Sequence, residues 1–247
     1  SYAARAGDEA TAAFAFDRAA RLYRTALSLL PRGASERASL YLRLGDAHSN
    51  GGRGHEAAEA YVAAAELYPE ASSLELRRRA AENLLRSGYI DEGMQHLRAV
   101  LVAVGMELPA TPSSTLTALL FRRAELRLRG LDFMERHPDR IPAAELRRVD
   151  VCWSAAKGLG MVDTIRGAYF QVRALPFALA AGDPYRVSRS LSLEFGFVAT
   201  VGPSARHRVD ELQRAAEAAA ERSRHPHALA LIPALSGVAM FLEGRFH

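Results

Sequence analysis

The 247-residue sequence carries eight histidines, one cysteine and 28 aspartates and glutamates, and their spacing bounds the chemistry they could do. His225 and His227 flank Pro226, and His55 stands beside Glu56 and Glu59. A metal needs convergent ligands. The first pair brackets a helix start, and the second lacks the second histidine of a His-Glu-x-x-His zinc helix. Cys152 lies in the run Cys152-Trp153-Ser154. A nucleophilic thiolate needs a histidine and an acid beside it, and this apolar setting reads as buried helix packing. The serines fall in no Gly-x-Ser-x-Gly elbow, so a hydrolase signature is missing. Gly158, Gly160 and Gly167 could suggest a nucleotide loop, but Leu159, Met161, Val162 and Ile165 are interspersed with them and no strand is predicted before them. Close helix packing with a turn near Met161 to Asp163 is the expectation. No catalytic, cofactor-binding or metal-ligating residue is therefore assigned, and the segment is read as not an enzyme.

The elements that would position any site are helical. Hydrophobic residues make up 49% and charged residues 24%, a globular balance. Alanine and leucine dominate over valine and isoleucine, which favours helix over strand. No run reaches the 18 uninterrupted apolar residues of a membrane span, and the start lacks the pattern of a signal peptide. With a single cysteine no disulfide framework forms within the chain, so a reducing, cytoplasmic compartment is expected. The formal charge of +4 and pI near 9.5 raise the question of nucleic acid. Yet from Arg122 to Asp150 the arginines are interleaved with Glu125, Asp132, Glu135, Asp139 and Glu145, as on a solvated helical face. Neither a nucleic-acid nor a membrane partner is expected.

Self-similarity gives the architecture. One unit runs Tyr41, Leu44, Gly45 and His48, turns at Gly51-Gly52-Arg53-Gly54, and continues Ala57, Tyr61, Ala64 and Pro69. That is the tetratricopeptide pattern: Gly45 and Ala57 let two helices approach, Tyr61 fills the gap between neighbouring pairs, and Pro69 closes the second helix. The preceding unit repeats it as Gly7, Phe16, Ala19, Tyr23, Ala26 and Pro31, with Ala3 and Ala10 where large residues belong, so its first helix is expected to be incomplete or exposed. A third follows in phase with Ala80, Ala81, Leu84, Gly88, Ile90, Gly93, Leu97 and Val100. The predicted fold is all-α, a right-handed superhelical solenoid of antiparallel helix hairpins.

Three regular units are expected over residues 1–108, an irregular Pro/Thr-rich break over 109–114 that supplies a helix cap, and less regular hairpins over 115–247. Helices are predicted at about 115–130, 142–159, 163–181, 184–200, 204–223 and 226–243, good to two to four residues. The stops between them are His137-Pro138, Gly182-Asp183-Pro184, Gly202-Pro203-Ser204 and His225-Pro226. Tyr23, Tyr61, Phe121, Trp153, Tyr169, Phe170 and Phe195 fall at helical spacing and are expected in the core. Ser236, Gly237, Met240, Gly244 and Phe246 resemble the opening of another unit, which predicts that the chain is a fragment of a longer protein.

Stacked hairpins line a concave groove with their first helices. The repeat phase puts Leu42, Asp46, Ser49 and Asn50 there from the second unit and Arg78, Glu82, Leu85 and Arg86 from the third. This mixture suits a polar peptide or another domain of the same chain, and it lacks the Lys, Asn and Arg clamp for a C-terminal carboxylate.

The run Leu85-Arg86-Ser87-Gly88-Tyr89-Ile90-Asp91-Glu92-Gly93, with Leu97-Arg98, Val100-Leu101 and Gly105 to Pro109, resembles the repeat region of large bacterial serine/threonine protein kinases. The resemblance extends through Leu146 to Ser154, Gly158 to Gly167, Gly182 to Arg186 and His225 to Ala228. In that family a kinase domain and an AAA-type, signal-transduction ATPase module precede tetratricopeptide repeats. The resemblance implies a parent that binds ATP and magnesium, and a segment that binds partners or restrains the ATPase module. The kinase phosphate loop, the His-Arg-Asp run, the Asp-Phe-Gly triplet and a Gly-x-x-x-x-Gly-Lys-Ser/Thr cradle are missing from these residues, so no kinase residue is carried over. The alternatives are the repeat segment of an ATPase-type transcription regulator, and a small-molecule sensor with an apolar cavity near Trp153 and Phe170.

Overall fold

A computed structural model describes residues 2–108, 111–160, 162–242 and 244–245, the side chain of residue 71 excepted. Among these residues the chain is all-helical, with twelve α-helices, two 3-10 turns and no strand. Apolar periodicity explains where the helices form and which face each buries. Phe16–Ser28 (α2) buries Ala19, Ala20, Tyr23, Ala26 and Leu27, a stripe at the 3.6-residue period. Ile90–Ala103 (α6) does the same with Gly93, Met94, Leu97, Val100 and Leu101.

The chain divides into two compact units, residues 1–108 and 109–247. In the first, Tyr2–Ala12 (α1), α2, Glu36–Asn50 (α3), Gly54–Ala65 (α4), Glu70–Arg86 (α5) and α6 each pack on the next, the sequential pairing of a helical repeat. The small residues sit where helices cross. A Cβ at Gly7 would lie 2.5 Å from the Tyr23 ring, and one at Gly45 would lie 2.7 Å from the Tyr61 ring. The Tyr23 hydroxyl donates to Asp8 and the Tyr61 hydroxyl to Asp46, each at 2.8 Å, so the two hairpins are built alike. Tyr61 therefore lies over Gly45 within its own hairpin, and it also shares one buried cluster with Leu76, Ala80 and Leu84 of the next hairpin. The first helix is short but formed, burying Gly7 and Ala10.

In the second unit, Pro112–Arg129 (α7) opens at a capping box in which Thr111 accepts from the Ser114 amide, with Pro112 at the first turn. Pro109 and Ala110 of the expected break lie outside the described residues, as do Met161, Phe246 and His247. Ala143–Leu159 (α8) pairs with Thr164–Ala181 (α9), and Pro184–Ala199 (α10) pairs with Arg206–Ser223 (α11). Regular hairpin order fails at both sides of these pairs. The α7 helix packs on α9 rather than on α8, and Pro226–Leu242 (α12) packs on both α10 and α11. Residues 130–142 form no α-helix; the Arg136 amide donates to the Gly182 carbonyl at 2.8 Å, tying this connection to the end of α9. Gly182 takes φ +76, and a Cβ there would lie 2.1 Å from the Met134 carbonyl oxygen, so glycine is required twice over.

Trp153, Tyr169, Phe170 and Phe195 are buried, but Phe121 is 62% exposed on α7 and is not core. No helix among the described residues is long and apolar enough to cross a membrane.

Candidate functional site

The predicted groove residues come from α3 and α5, whose side chains meet one repeat period apart. Ser49 donates to Asn83 Oδ1 at 2.9 Å, and Arg79 Nη1 reaches Asp46 at 3.3 Å. One hairpin earlier, Arg43 of α3 pairs with Asp8 of α1 at 3.1 Å. The first helices of successive hairpins are thus joined side by side.

The charged residues form a continuous chain. Asp46 accepts from the Tyr61 hydroxyl and from Arg79, Arg79 continues to Glu75 at 3.0 Å, Glu75 pairs with Arg78 at 2.6 Å, and Arg78 pairs with Glu82 at 3.1 Å. Burial works against ionisation of Glu75, but hydrogen bonds and charge from Arg78 and Arg79 outweigh it and hold the carboxyl below its usual range. Burial, with Asp46 adding to it, pushes the Tyr61 phenol up, so the hydroxyl stays a donor. The face consequently presents acids already matched by arginines.

Asp46, Ser49, Arg78 and Glu82 belong to these links, Leu42 is half-buried against the core of the unit, and Asn50 and Arg86 stand exposed at the same ends of α3 and α5. Leu85 departs from the expectation: it is buried inside its own hairpin, where a Cβ at Gly93 would lie 2.7 Å from its Cγ. The period fixes which side of a helix a residue occupies, and Leu85 falls on the edge that α6 covers. Sequence reasoning missed Glu75, Arg79 and Asn83. The signal was present, since Glu75, Arg78, Arg79 and Glu82 are spaced three or four residues apart on α5, the spacing that brings side chains together.

The other chemistry-bearing residues have structural partners. His225 stacks on Tyr185 with ring centroids 4.0 Å apart, and His227 Nδ1 lies 3.3 Å from the Tyr185 hydroxyl. His55 lies 3.6 Å from Glu92 and against Tyr89. No group of three or more His, Cys, Asp or Glu side chains placed to hold a metal occurs among the described residues. Gly160 and Gly167 are in backbone contact, a Cβ on Gly167 falling 2.9 Å from the Gly160 Cα, where α8 meets α9.

Cys152 is fully buried, and burial pushes its thiol up to about 12. A thiol with almost no thiolate at neutral pH and no access is unreactive. In native buffer at pH 7.5, the chain should react with a disulfide-exchange reagent at least a hundredfold more slowly than in denaturant; equal rates would show that Cys152 is open.

No family model, curated protein or solved structure matches the chain.

Proposed function

We propose that the chain is a non-catalytic protein-interaction or autoregulatory segment of a multidomain signalling protein, and that the α1–α3–α5 side of its first unit is the binding face. The first unit is, on this reading, a run of tetratricopeptide-like hairpins coiling as a right-handed solenoid. The observation that supports it is the row of links one period apart, Asp8 to Arg43, Asp46 to Arg79 and Ser49 to Asn83, which aligns alternate helices. A face held this way is preorganised, so a partner need not order it. Its charges are paired, which suits an extended polar peptide or a neighbouring domain better than a lone carboxylate. Discrimination then falls to the exposed ends, Asn50 and Arg86.

The parent, by the resemblance described above, is a serine/threonine kinase that binds ATP and carries an AAA-type ATPase module, with a transcription regulator of the ATPase class as the alternative. The test is a pull-down of the 247-residue chain against the parent's upstream domains, with phosphoryl transfer and ATP hydrolysis measured with and without it. Binding with a changed rate is the expected result. Arg86→Glu and Asn50→Arg should each weaken capture about tenfold, some 1.4 kcal/mol, without moving the melting temperature. Capture indifferent to both changes would remove this face from the interaction.

A further inference from the structure

The second unit holds a cavity of about 520 Å³ between α7, α10 and α11 whose polar groups are incompletely satisfied. Glu194 of α10 is only 2% exposed, yet it lines this cavity and its Oε2 has no hydrogen-bond partner. Arg123 of α7 faces it with Nε 3.6 Å from Oε1, close enough to attract but too far for a hydrogen bond, and that Nε–H also goes without an acceptor. Burying a carboxylate and a guanidinium side by side without completing their hydrogen bonds is costly unless something else completes them. Burial pushes the Glu194 carboxyl up to about 7 against the pull of Arg123 and Arg208, as expected of an acid short of partners.

The rest of the lining narrows the chemistry. Arg208 is held by Glu211 at 2.7 Å, whereas Arg127, one helical turn beyond Arg123, stands exposed at the wall. Leu126, Val198 and Val201 supply an apolar side. A ligand that fits must accept from Arg123 and Arg127, donate to Glu194, and carry an aliphatic part. A sulfate or chloride ion offers no donor, a hydrogen phosphate or bicarbonate has no aliphatic part, and a simple amine offers no acceptor.

We infer that this cavity binds a small carboxylic acid bearing an N–H or O–H donor on the adjacent carbon and an aliphatic tail, that is, a 2-amino or 2-hydroxy acid. The carboxylate pairs with Arg127 and Arg123, the donor completes Glu194, and the tail lies on Leu126 and Val198. This site lies in the second unit and does not rest on the peptide-binding reading of the first. It is also a different place from the surroundings of Trp153 and Phe170, both buried, where an effector sensor's cavity was expected.

Calorimetric titration of the full 247-residue chain with L-leucine, L-2-hydroxy-4-methylpentanoate and 4-methylpentanoate tests the assignment. At least one of the first two should bind saturably, one per chain, and the third, which lacks the donor, at least tenfold more weakly. Arg127→Gln, at an exposed position, should weaken the bound acid at least tenfold with an unchanged melting temperature. Glu194→Gln then separates the sources: it should abolish binding of an amino acid, whose ammonium needs the carboxylate, and spare a hydroxy acid. No heat from either donor-bearing acid, equal affinity for 4-methylpentanoate, or indifference to Arg127→Gln would overturn the proposal, whether or not the Glu194 variant folds.

Discussion

Gly54→Leu should cost the first unit more than about 3 kcal/mol, although leucine is the better helix former by about 1 kcal/mol. The sign is decided by space. Gly54 opens α4 against the end of α5, where a Cβ would lie 1.9 Å from Ser87 Oγ and 2.6 Å from the Asn83 carbonyl oxygen. The serine can rotate away. The Asn83 carbonyl is helix backbone that already accepts from the Ser87 amide, so α5 itself would have to move. Two residues earlier, Gly52 has φ +74 and nothing within 4 Å of a Cβ, so Gly52→Ala should cost only the backbone penalty of about 1 to 2 kcal/mol. Gly45→Leu falls between them in kind, since it collides with the Tyr61 ring rather than with backbone, and about 1 to 3 kcal/mol is expected. Urea denaturation of the three variants should rank Gly54→Leu as the most damaging. If it unfolds with the same midpoint as the parent chain, the close approach of α4 to α5 is wrong.

Asp150→Ala should be of similar size, about 3 to 5 kcal/mol, because it takes the acid from a buried Arg189 and one of two acids from Arg186 in the second unit. Asp150 of α8 accepts from Arg186 Nε at 2.9 Å and Nη2 at 2.8 Å, and also from Arg189 Nη2. Arg186 has a second acid in Asp183 at 2.7 Å, but Arg189 is buried with its guanidinium 5.0 Å from the Trp153 and Tyr185 ring centres. Burial lowers the Arg186 pKa, yet Asp150 and Asp183 outweigh it and raise the guanidinium above its ordinary value, so it stays charged and must be matched. Exposure decides the magnitude. The side chains of this trio are 9 to 19% exposed, whereas the Arg122–Glu125 pair on α7 is nearly half exposed, and Glu125→Ala should change stability by less than about 1 kcal/mol. A double variant, Asp150→Ala with Arg189→Met, should recover part of the loss, since removing both charges is cheaper than orphaning one. Equal melting of Asp150→Ala and Glu125→Ala in a side-by-side thermal scan would show the trio to be solvated.

Helix positions were legible because the signals that start and stop them are local. Residues 142–159 were expected and Ala143–Leu159 is found; 184–200 were expected and Pro184–Ala199 is found. Pro142 and Pro184 mark helix starts and Gly182 supplies the left-handed stop, all of them local backbone preferences. Gly7 and Gly45 were legible as close helix crossings because they recur in the same phase, whereas the rings they face, Tyr23 and Tyr61, emerged only from the packing.

Which helix packs on which, and which charges meet, was decided by the tertiary structure. Apolar stripes gave α7 a face but not its partner, so its packing on α9 and the exposure of Phe121 had no local sign. Asp46 meets Arg79 rather than Arg78 because the choice between adjacent long side chains depends on how far α5 is rotated against α3. Glu194 reads in the sequence as one more glutamate on a helix; only the convergence of α7, α10 and α11 buries it beside Arg123 at the wall of a cavity, with its second oxygen lacking a hydrogen-bond partner. Periodicity determines the side of a helix on which a residue lies, whereas burial, pairing and the shape of the space between helices depend on packing between residues far apart in the chain.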